Sequence, residues 1–454
     1  MTNASSEPAH GVTLRVSASD AATEIFLVDA RLARREKAVG AMEATVSPGL
    51  YKLRLRAGRT QVDRLIEVTP DKARKIDAAP VAFATAMPLD DTADADADHA
   101  QVVRDATTRR SERSGGSRLC LFVRNGADET GEAAVSTLSV HAPDGTSLAG
   151  LDDAKTGAAG LSALVFDRPA GFVRVRVSPP AAPVHEMFVP LPEGRQTEMF
   201  VFRDDEGGPR LRDASLRIAR LGEAFDPSDP DLRLVELLRH ALASGRDVLT
   251  ETVLEQVDAA RCAHPMLALY AAHLAIREGR IDTAQIVADQ RGTDPAILAM
   301  PDMRALLLKT VRMGPPKGLR FCTPPMLRAS WTLIAAASRR RMGLVPYASL
   351  AARVGEGLVA DPLWLLGGRP DAAPGSSSDA MSFAAARRFL GDLAAREGTI
   401  RATPGATPLA RGLLDIVRAE GGTPETLDAA LHGIDAPRYS IARAARHLQE
   451  TLAP

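Results

Sequence analysis

The run Tyr51-Lys52-Leu53-Arg54-Leu55-Arg56 alternates apolar and charged side chains, and a period of two places the apolar set on one face of a strand. Val173, Val175 and Val177 alternate with Arg174 and Arg176 in the same way. Each run is entered through Pro and Gly, as Pro48-Gly49 and as Pro169-Ala170-Gly171, residues that shape a turn before the chain extends. Setting Gly49 on Gly171 matches Leu50 to Phe172, Lys52 to Arg174 and Arg54 to Arg176. A second extended run then closes at Pro70 in one stretch and Pro192 in the other, 21 residues beyond the glycine in both. Equal spacing between a strand and its successor predicts a duplicated β-unit.

Opening strands fall at 12–19 and 119–126, and the second unit carries a longer middle with its own turn at Pro143-Asp144-Gly145. Short strands with frequent turn residues predict two antiparallel β-sandwich modules, at 11–88 and 118–204. Residues 1–10 read as disordered. Residues 89–117 are polar, first acidic and then basic, without apolar periodicity, and read as a flexible linker.

Beyond a connector at 205–230 the period changes to that of a helix, as in Leu232, Val235, Leu238 and Leu242. Pro265 suits a first helical turn, Met266, Leu267, Tyr270 and Leu274 form a stripe, and Gly279 stops the helix before Ile281, Ala284 and Val287 begin another. A further helix follows Pro324 and Pro325, with Met326, Leu327, Ser330, Trp331 and Ile334 on one side. Arg339, Arg340 and Arg341 sit in its last turn, where cations suit the helix dipole. The helical domain is read as 231–368, followed by a loop at 369–380 and C-terminal helices at 381–454. The fold class expected is therefore multidomain, β then α: two small antiparallel β-sandwich modules followed by an all-α helical-hairpin domain.

The Pro-Gly-apolar-Tyr-x-Leu turn-strand at 48–53 resembles the PEGA and carboxypeptidase-regulatory-like β-sandwich families. That resemblance implies an accessory or adhesion-like binding module and no catalytic residues. Ala271, Ala272 and Ala284, with Gly279 between them, resemble one tetratricopeptide-type helical hairpin. Segments 264–280 and 324–331 together resemble an α-helical module of bacterial signalling or defence proteins. Such modules accompany caspase-like or trypsin-like peptidase domains, which implies an effector of that kind as company.

Composition narrows the function classes. At 454 residues, 45% apolar and 25% charged, the chain suits about three globular units. Aromatics are only 4%, so its cores rest on Ala, Leu and Val. A formal net charge of −1 supplies no field to gather nucleic acid or an anionic membrane. No secretory leader or spanning apolar run is read, and Cys120, Cys262 and Cys322 are widely spaced, as small buried thiols in a reducing compartment would be. A cytoplasmic location is expected.

The search for chemistry assigns no catalytic, cofactor-binding or metal-binding residue. His10-Gly11 and His432-Gly433 lack a following Cys in a caspase setting, and no nucleophile elbow, HExxH, CxxC or P-loop occurs. Cys262 and His264, two apart, read as a buried thiol beside a helix-start histidine, and His273 as a packing residue. Short basic runs at 107–113 and 338–342 read as solvated and not as nucleic-acid contacts. Trp331 and Trp364 are natural core anchors. The candidate partner-binding residues are Tyr270, His273, Trp331, Arg339, Arg340 and Arg341. The expected function is a non-enzymatic adaptor or regulatory subunit that binds other proteins, one of them encoded nearby, and positions an effector. A hydrolase with a loop-assembled site, and a structural subunit of a larger assembly, are the alternatives.

Overall fold

The computed structural model describes residues 11–70, 73–109, 116–124, 138–150, 153–156, 160–178, 184–203, 208–287, 294–311, 318–338, 344–346, 349–356 and 358–368. The N-terminal half is β-rich, with three sheets in all, and helices dominate the described residues after 229. The first sheet holds β1 (Val12–Ser17), β2 (Glu24–Asp29), β3 (Arg34–Val39), β4 (Ala41–Val46), β5 (Gly49–Ala57), β6 (Thr60–Val68) and β7 (Arg74–Asp77). Their order is β6-β5-β2-β3-β4-β1-β7. The alternation read in the sequence is seen in burial: Tyr51, Leu53 and Leu55 face the core beside Ile25, Leu27 and Leu14.

After helix α1 (Ala97–Thr107) come β8 (Ser117–Arg124), β9 (Leu138–His141), β10 (Ser147–Gly150), β11 (Lys155–Thr156), β12 (Ser162–Arg168), β13 (Gly171–Val177), β14 (His185–Leu191), β15 (Arg195–Arg203) and β16 (Pro209–Arg220). Several pairings of the first sheet recur among them. β5 pairs with β2 and β6, as β13 pairs with β9 and β14. β1 pairs antiparallel with β4 and parallel with β7, as β8 does with β12 and β15. Gly49 and Gly171 open the matched strands at φ 155° and 151°, in the region glycine reaches freely. The repeat read from a dozen side chains is thus matched by these pairings, although the first copy forms one sheet and the second lies in two.

The sheet β11-β12-β8-β15-β16 is covered on both faces. Leu119, Leu121, Met199 and Val201 join Val173, Val175, Met187 and Val189 of the neighbouring sheet in one core. The opposite side chains Cys120, Phe122, Phe200 and Phe202 pack with Val103 of α1 and with Phe225. This is why β8 and β15 are buried at every position. It also corrects the expectation of a flexible linker at 89–117. Asp96 caps α1 through the His99 amide at 3.0 Å, and Val103 anchors the helix in that core. The expected connector at 205–230 is corrected too, since β16 lies within it and pairs along β15.

The helices are α2 (Pro230–Ser244), α3 (Glu251–Ala260), α4 (Pro265–Arg277), α5 (Ile281–Val287), α6 (Pro295–Leu298), α7 (Pro301–Thr310), α8 (Arg328–Ser338) and α9 (Leu350–Glu356). Gly279, at φ 77°, ends α4 in the left-handed region, as its place in the pattern predicts. Two short strands, β17 (Leu358–Val359) and β18 (Leu366–Gly367), lie in a region expected to be all-α, and β18 pairs with the outer strand β14. The expected loop at 369–380 and helices at 381–454 lie outside the described residues.

The β-rich and helical parts share one continuous apolar cluster running from Leu14 through Leu238 and Tyr270 to Trp364. Polar joints fix it. Arg233 of α2 holds Asp20 at 2.6 Å and the Val81 carbonyl at 2.9 Å, while Arg246 reaches Glu24 at 3.0 Å. Gly58, at φ 55°, brings the β5–β6 turn onto α2, where an added Cβ would stand 3.1 Å from Phe83 and 3.2 Å from His240. At the centre, the buried Glu236 carboxylate accepts from Thr85 at 2.6 Å, Ser215 at 2.7 Å and Arg239 at 3.0 Å. Burial pushes its pKa up, but Arg239 and Thr85 outweigh that and hold it below the ordinary glutamate value. Replacing Glu236 with Ala leaves Arg239 buried and uncompensated, so urea unfolding should register a loss of about 3–5 kcal/mol. Wild-type stability in that variant would mean that the joint is not the fixing contact.

Candidate functional site

A cleft of about 640 Å³ opens where the turn into β13 meets the helical half. One wall is Gly171, Phe172, Phe188 and Pro190 from the β13–β14 pair. The facing wall comes from the start of α6, the start of α7 and the segment 320–326. These three stretches are far apart in sequence and are brought together by a few strong local contacts. Arg195 of β15 holds Asp294, the cap of α6, at 2.9 Å. Asp302 of α7 is fully buried and accepts from the Met326 and Leu327 amides at 2.8 and 2.9 Å, pinning the floor. Burial raises the Asp302 pKa to about 6, against the lowering effect of those amides.

The cleft is apolar inside and charged around it, with Arg304, Arg320 and the exposed Glu193 in its lining. Phe172 and Phe188 lie 6.3 Å apart between ring centroids, with Phe321, Met300 and Met326 opposite. Arg304 lies over the Phe321 ring at 5.6 Å and is half-buried, Arg320 is exposed, and neither has a carboxylate partner among the described residues. Cys322, also exposed, stands beside them. The lining residues include no histidine, and both Asp302 oxygens are occupied by backbone amides. The arrangement suits binding of an apolar segment with an anionic group, through stacking on Phe321 and a paired guanidinium. In the first repeat the matching turn, Pro48-Gly49-Leu50, lines a more polar cleft of about 650 Å³ with Asp29, Arg31 and Arg35.

The residues singled out from sequence lie elsewhere. Tyr270 and Trp331 are buried in the core, and His273 donates to or accepts from Ser330 at 2.8 Å, joining α4 to α8. All three act as packing residues, and the burial removes them from any partner's reach. Gly355 allows α9 close to Trp331: an added Cβ there would sit 2.6 Å from the indole. Trp364 is fully buried, as its anchor reading expects. Arg339, Arg340 and Arg341 lie outside the described residues. Cys120 is buried as expected, but Cys262 and Cys322 are exposed, a correction to the picture of three buried thiols. Phe172 was marked by its place in the repeat, but nothing local signals that it shares a cleft with Pro301 and Arg320.

One cluster has metal-ligating types: Asp229, Asp231 and His264, with ligand atoms within 4.8 Å of one another. His264 Nε2 is 3.3 Å from Asp229 Oδ2 and 4.0 Å from Asp231 Oδ2. Asp229 already caps α2 by accepting from the Asp231 amide at 2.8 Å, and His264 sits at the head of α4. Two helix N-termini direct positive dipole ends at this point, which disfavours a cation there. The cluster reads as a capping arrangement.

No family model matches this chain, and no curated protein matches it. Among solved structures it is similar to the Bacillus anthracis TIE protein, at 10% identity over 40% of this chain and 32% of that one. A candidate cell adhesion protein from Bacteroides fragilis is similar at 9% identity, over 46% of this chain and 86% of that one. The chain thus spans about a third of the length of the TIE protein. Both likenesses have a TM-score of 0.16, which is too low to support a statement on fold or function.

Two outcomes follow from these environments. A thiol reagent should modify Cys262 and Cys322 in the native protein and Cys120 only after unfolding; three equally fast thiols would contradict the packing of β8. Burial lowers His273 to about pKa 3, so the imidazole is neutral when folded. The unfolded chain, with the ordinary value near 6.5, binds the extra proton. Stability should therefore fall as pH drops through the window from about 6.5 to 3, by up to about 1.4 kcal/mol per pH unit. His273→Gln should flatten that part of a thermal-midpoint profile, and an unchanged slope would refute the assignment.

Proposed function

We propose that this protein is a non-enzymatic adaptor that holds a segment of another protein in the cleft between its second β-unit and its helical half. The observation that carries the reading is the cleft mouth: half-buried Arg304 and exposed Arg320, both without carboxylate partners among the described residues, above an apolar floor of Phe172, Phe188 and Phe321. Such a surface favours a partner segment that presents an acidic residue beside large apolar ones.

Finer points of fold support the same reading. The strands of the first repeat form one seven-stranded sheet and those of the second lie in two sheets, and their alternating strands suit small β-modules akin to the PEGA and carboxypeptidase-regulatory-like families. The α4–α5 pair, turned by Gly279, suits a tetratricopeptide-like hairpin. By the resemblance of the helical half, the partner is an effector encoded nearby, of the caspase-like or trypsin-like peptidase kind. The exposed positions of Cys262 and Cys322 agree with a reducing, cytoplasmic setting.

The test is affinity capture from native cells with the wild type and with an Arg304→Glu, Arg320→Glu double variant. A stoichiometric partner held by the wild type should be lost from the variant, by about tenfold or more, with the fold intact by circular dichroism. Equal capture by both proteins would remove the cleft from the binding site. A wild type that holds no partner in gentle lysates would overturn the adaptor reading itself.

A further inference from the structure

The two repeats differ in what lies beyond their outer strand. In the second, β14 is followed by β18, which pairs antiparallel with it at Glu186↔Gly367 and Met187↔Leu366. In the first, the matching strand β6 ends the sheet, and no strand among the described residues lies beyond it. The register makes the two outer strands comparable residue by residue. Arg54 stands opposite Asp63 as Arg176 stands opposite Glu186, and Leu53 opposite Arg64 as Val175 opposite Met187.

The same charges recur at this point. Lys52 and Arg54 hold Asp63 at 3.5 and 2.8 Å, as Arg174 and Arg176 hold Glu186 at 2.8 and 3.5 Å. In the second repeat this carboxylate is 4% exposed, while in the first it is 33% exposed. Three of the five most exposed large apolar side chains cluster on the same pair of strands: Leu50 (54%), Val62 (46%) and Leu65 (68%). Arg64, exposed on the face of Val62, has no carboxylate paired with it among the described residues. Every second residue of an antiparallel edge strand directs its N–H and C=O away from its neighbour, so β6 offers such a row along its open edge, with the Glu67 carbonyl near its end accepting from Arg74.

We infer that β6 is a second docking site, which takes an extended segment of another protein as an added antiparallel strand, as β14 takes β18. The alternation of faces sets the chemistry of that segment. It places an apolar residue opposite Leu65, an acidic one opposite Arg64, a small or polar one opposite Asp63 and an apolar one opposite Val62, giving the order apolar, acidic, polar, apolar. A second copy of this chain fits poorly. Two-fold pairing of β6 with itself about Asp63, Arg64 or Leu65 sets Asp63 on Asp63, Arg64 on Arg64, or Asp63 on Glu67. This inference rests on the adaptor reading for its biological sense, and on different residues for its geometry.

The experiment uses the full chain and a fluorescent eight-residue peptide with the centre Leu-Glu-Thr-Val, read by anisotropy. Saturable binding is expected. Arg64→Glu, a change at an exposed position that should leave the thermal midpoint unaltered, should weaken it by about tenfold or more. A peptide with Lys in place of Glu should show the reverse preference. Leu65→Asp should also weaken binding while the Arg304→Glu, Arg320→Glu protein keeps it, so failure at the cleft and failure at the edge are told apart. Absent binding, or equal binding by wild type and Arg64→Glu, overturns the inference. So does a dimer of the free protein in sedimentation that Arg64→Glu dissolves, which would assign the edge to self-pairing.

Discussion

A buried carboxylate at the meeting point of three chain segments fixes this architecture. Glu236 lies on α2, yet two of its partners come from elsewhere: Thr85 from the segment leaving the first repeat, and Ser215 from the strand that closes the second. Buried ionic groups add little net stability when paired, but they penalise each arrangement that leaves them unpaired. Apolar cores made largely of Ala, Leu and Val could slide past one another with small loss. The bonds from Thr85 and Ser215 to Glu236 remove that freedom, and the Arg233–Asp20 and Arg246–Glu24 pairs do the same at the margin of the first repeat. The cleft depends on this alignment, because one wall belongs to a β-unit and the other to the helices.

Duplication followed by divergence explains much of the surface. The two repeats keep the same strand pairing and the same carboxylate held by two cations, so these are the features that the scaffold requires. They differ where the helical half presses on one copy alone. In the second copy β18 covers the outer strand and a more apolar cleft lies by Phe172, while the first keeps an open edge and a more polar cleft of similar volume by Leu50. One scaffold thereby presents two unlike surfaces.

The period-two strands, the turn glycines and the helix stop at Gly279 were legible because each is written in a few adjacent residues. Helix α1 was not, since one large buried residue, Val103, anchors it amid charged neighbours, and its capping Asp96 sits in an acidic run. β16 hid behind a polar start, although Leu211, Leu216 and Ile218 carry the apolar face that fills the core. The candidate site was least legible. Tyr270 and Trp331 stood out as aromatic anchors in a chain with few aromatics, but that scarcity is the reason they fill the core. Arg304 becomes distinctive only when folding sets it over Phe321, and Arg320 only when folding brings it to the same cleft.

The pairing of β18 with β14 joins residues 180 positions apart. A ribosome adding about 5–20 residues per second needs roughly 10–40 s to cover that distance. Throughout this interval the second repeat has emerged with its outer strand uncovered, beside a first repeat whose outer strand is uncovered as well. Two sticky edges on one nascent chain invite pairing with each other or with neighbouring polysomes. The charged residues along both strands, Asp63, Arg64 and Glu67 on one and Glu186 on the other, slow such mispairing during synthesis. Edge chemistry in this protein is therefore shaped by the order in which the chain is made as well as by the finished structure.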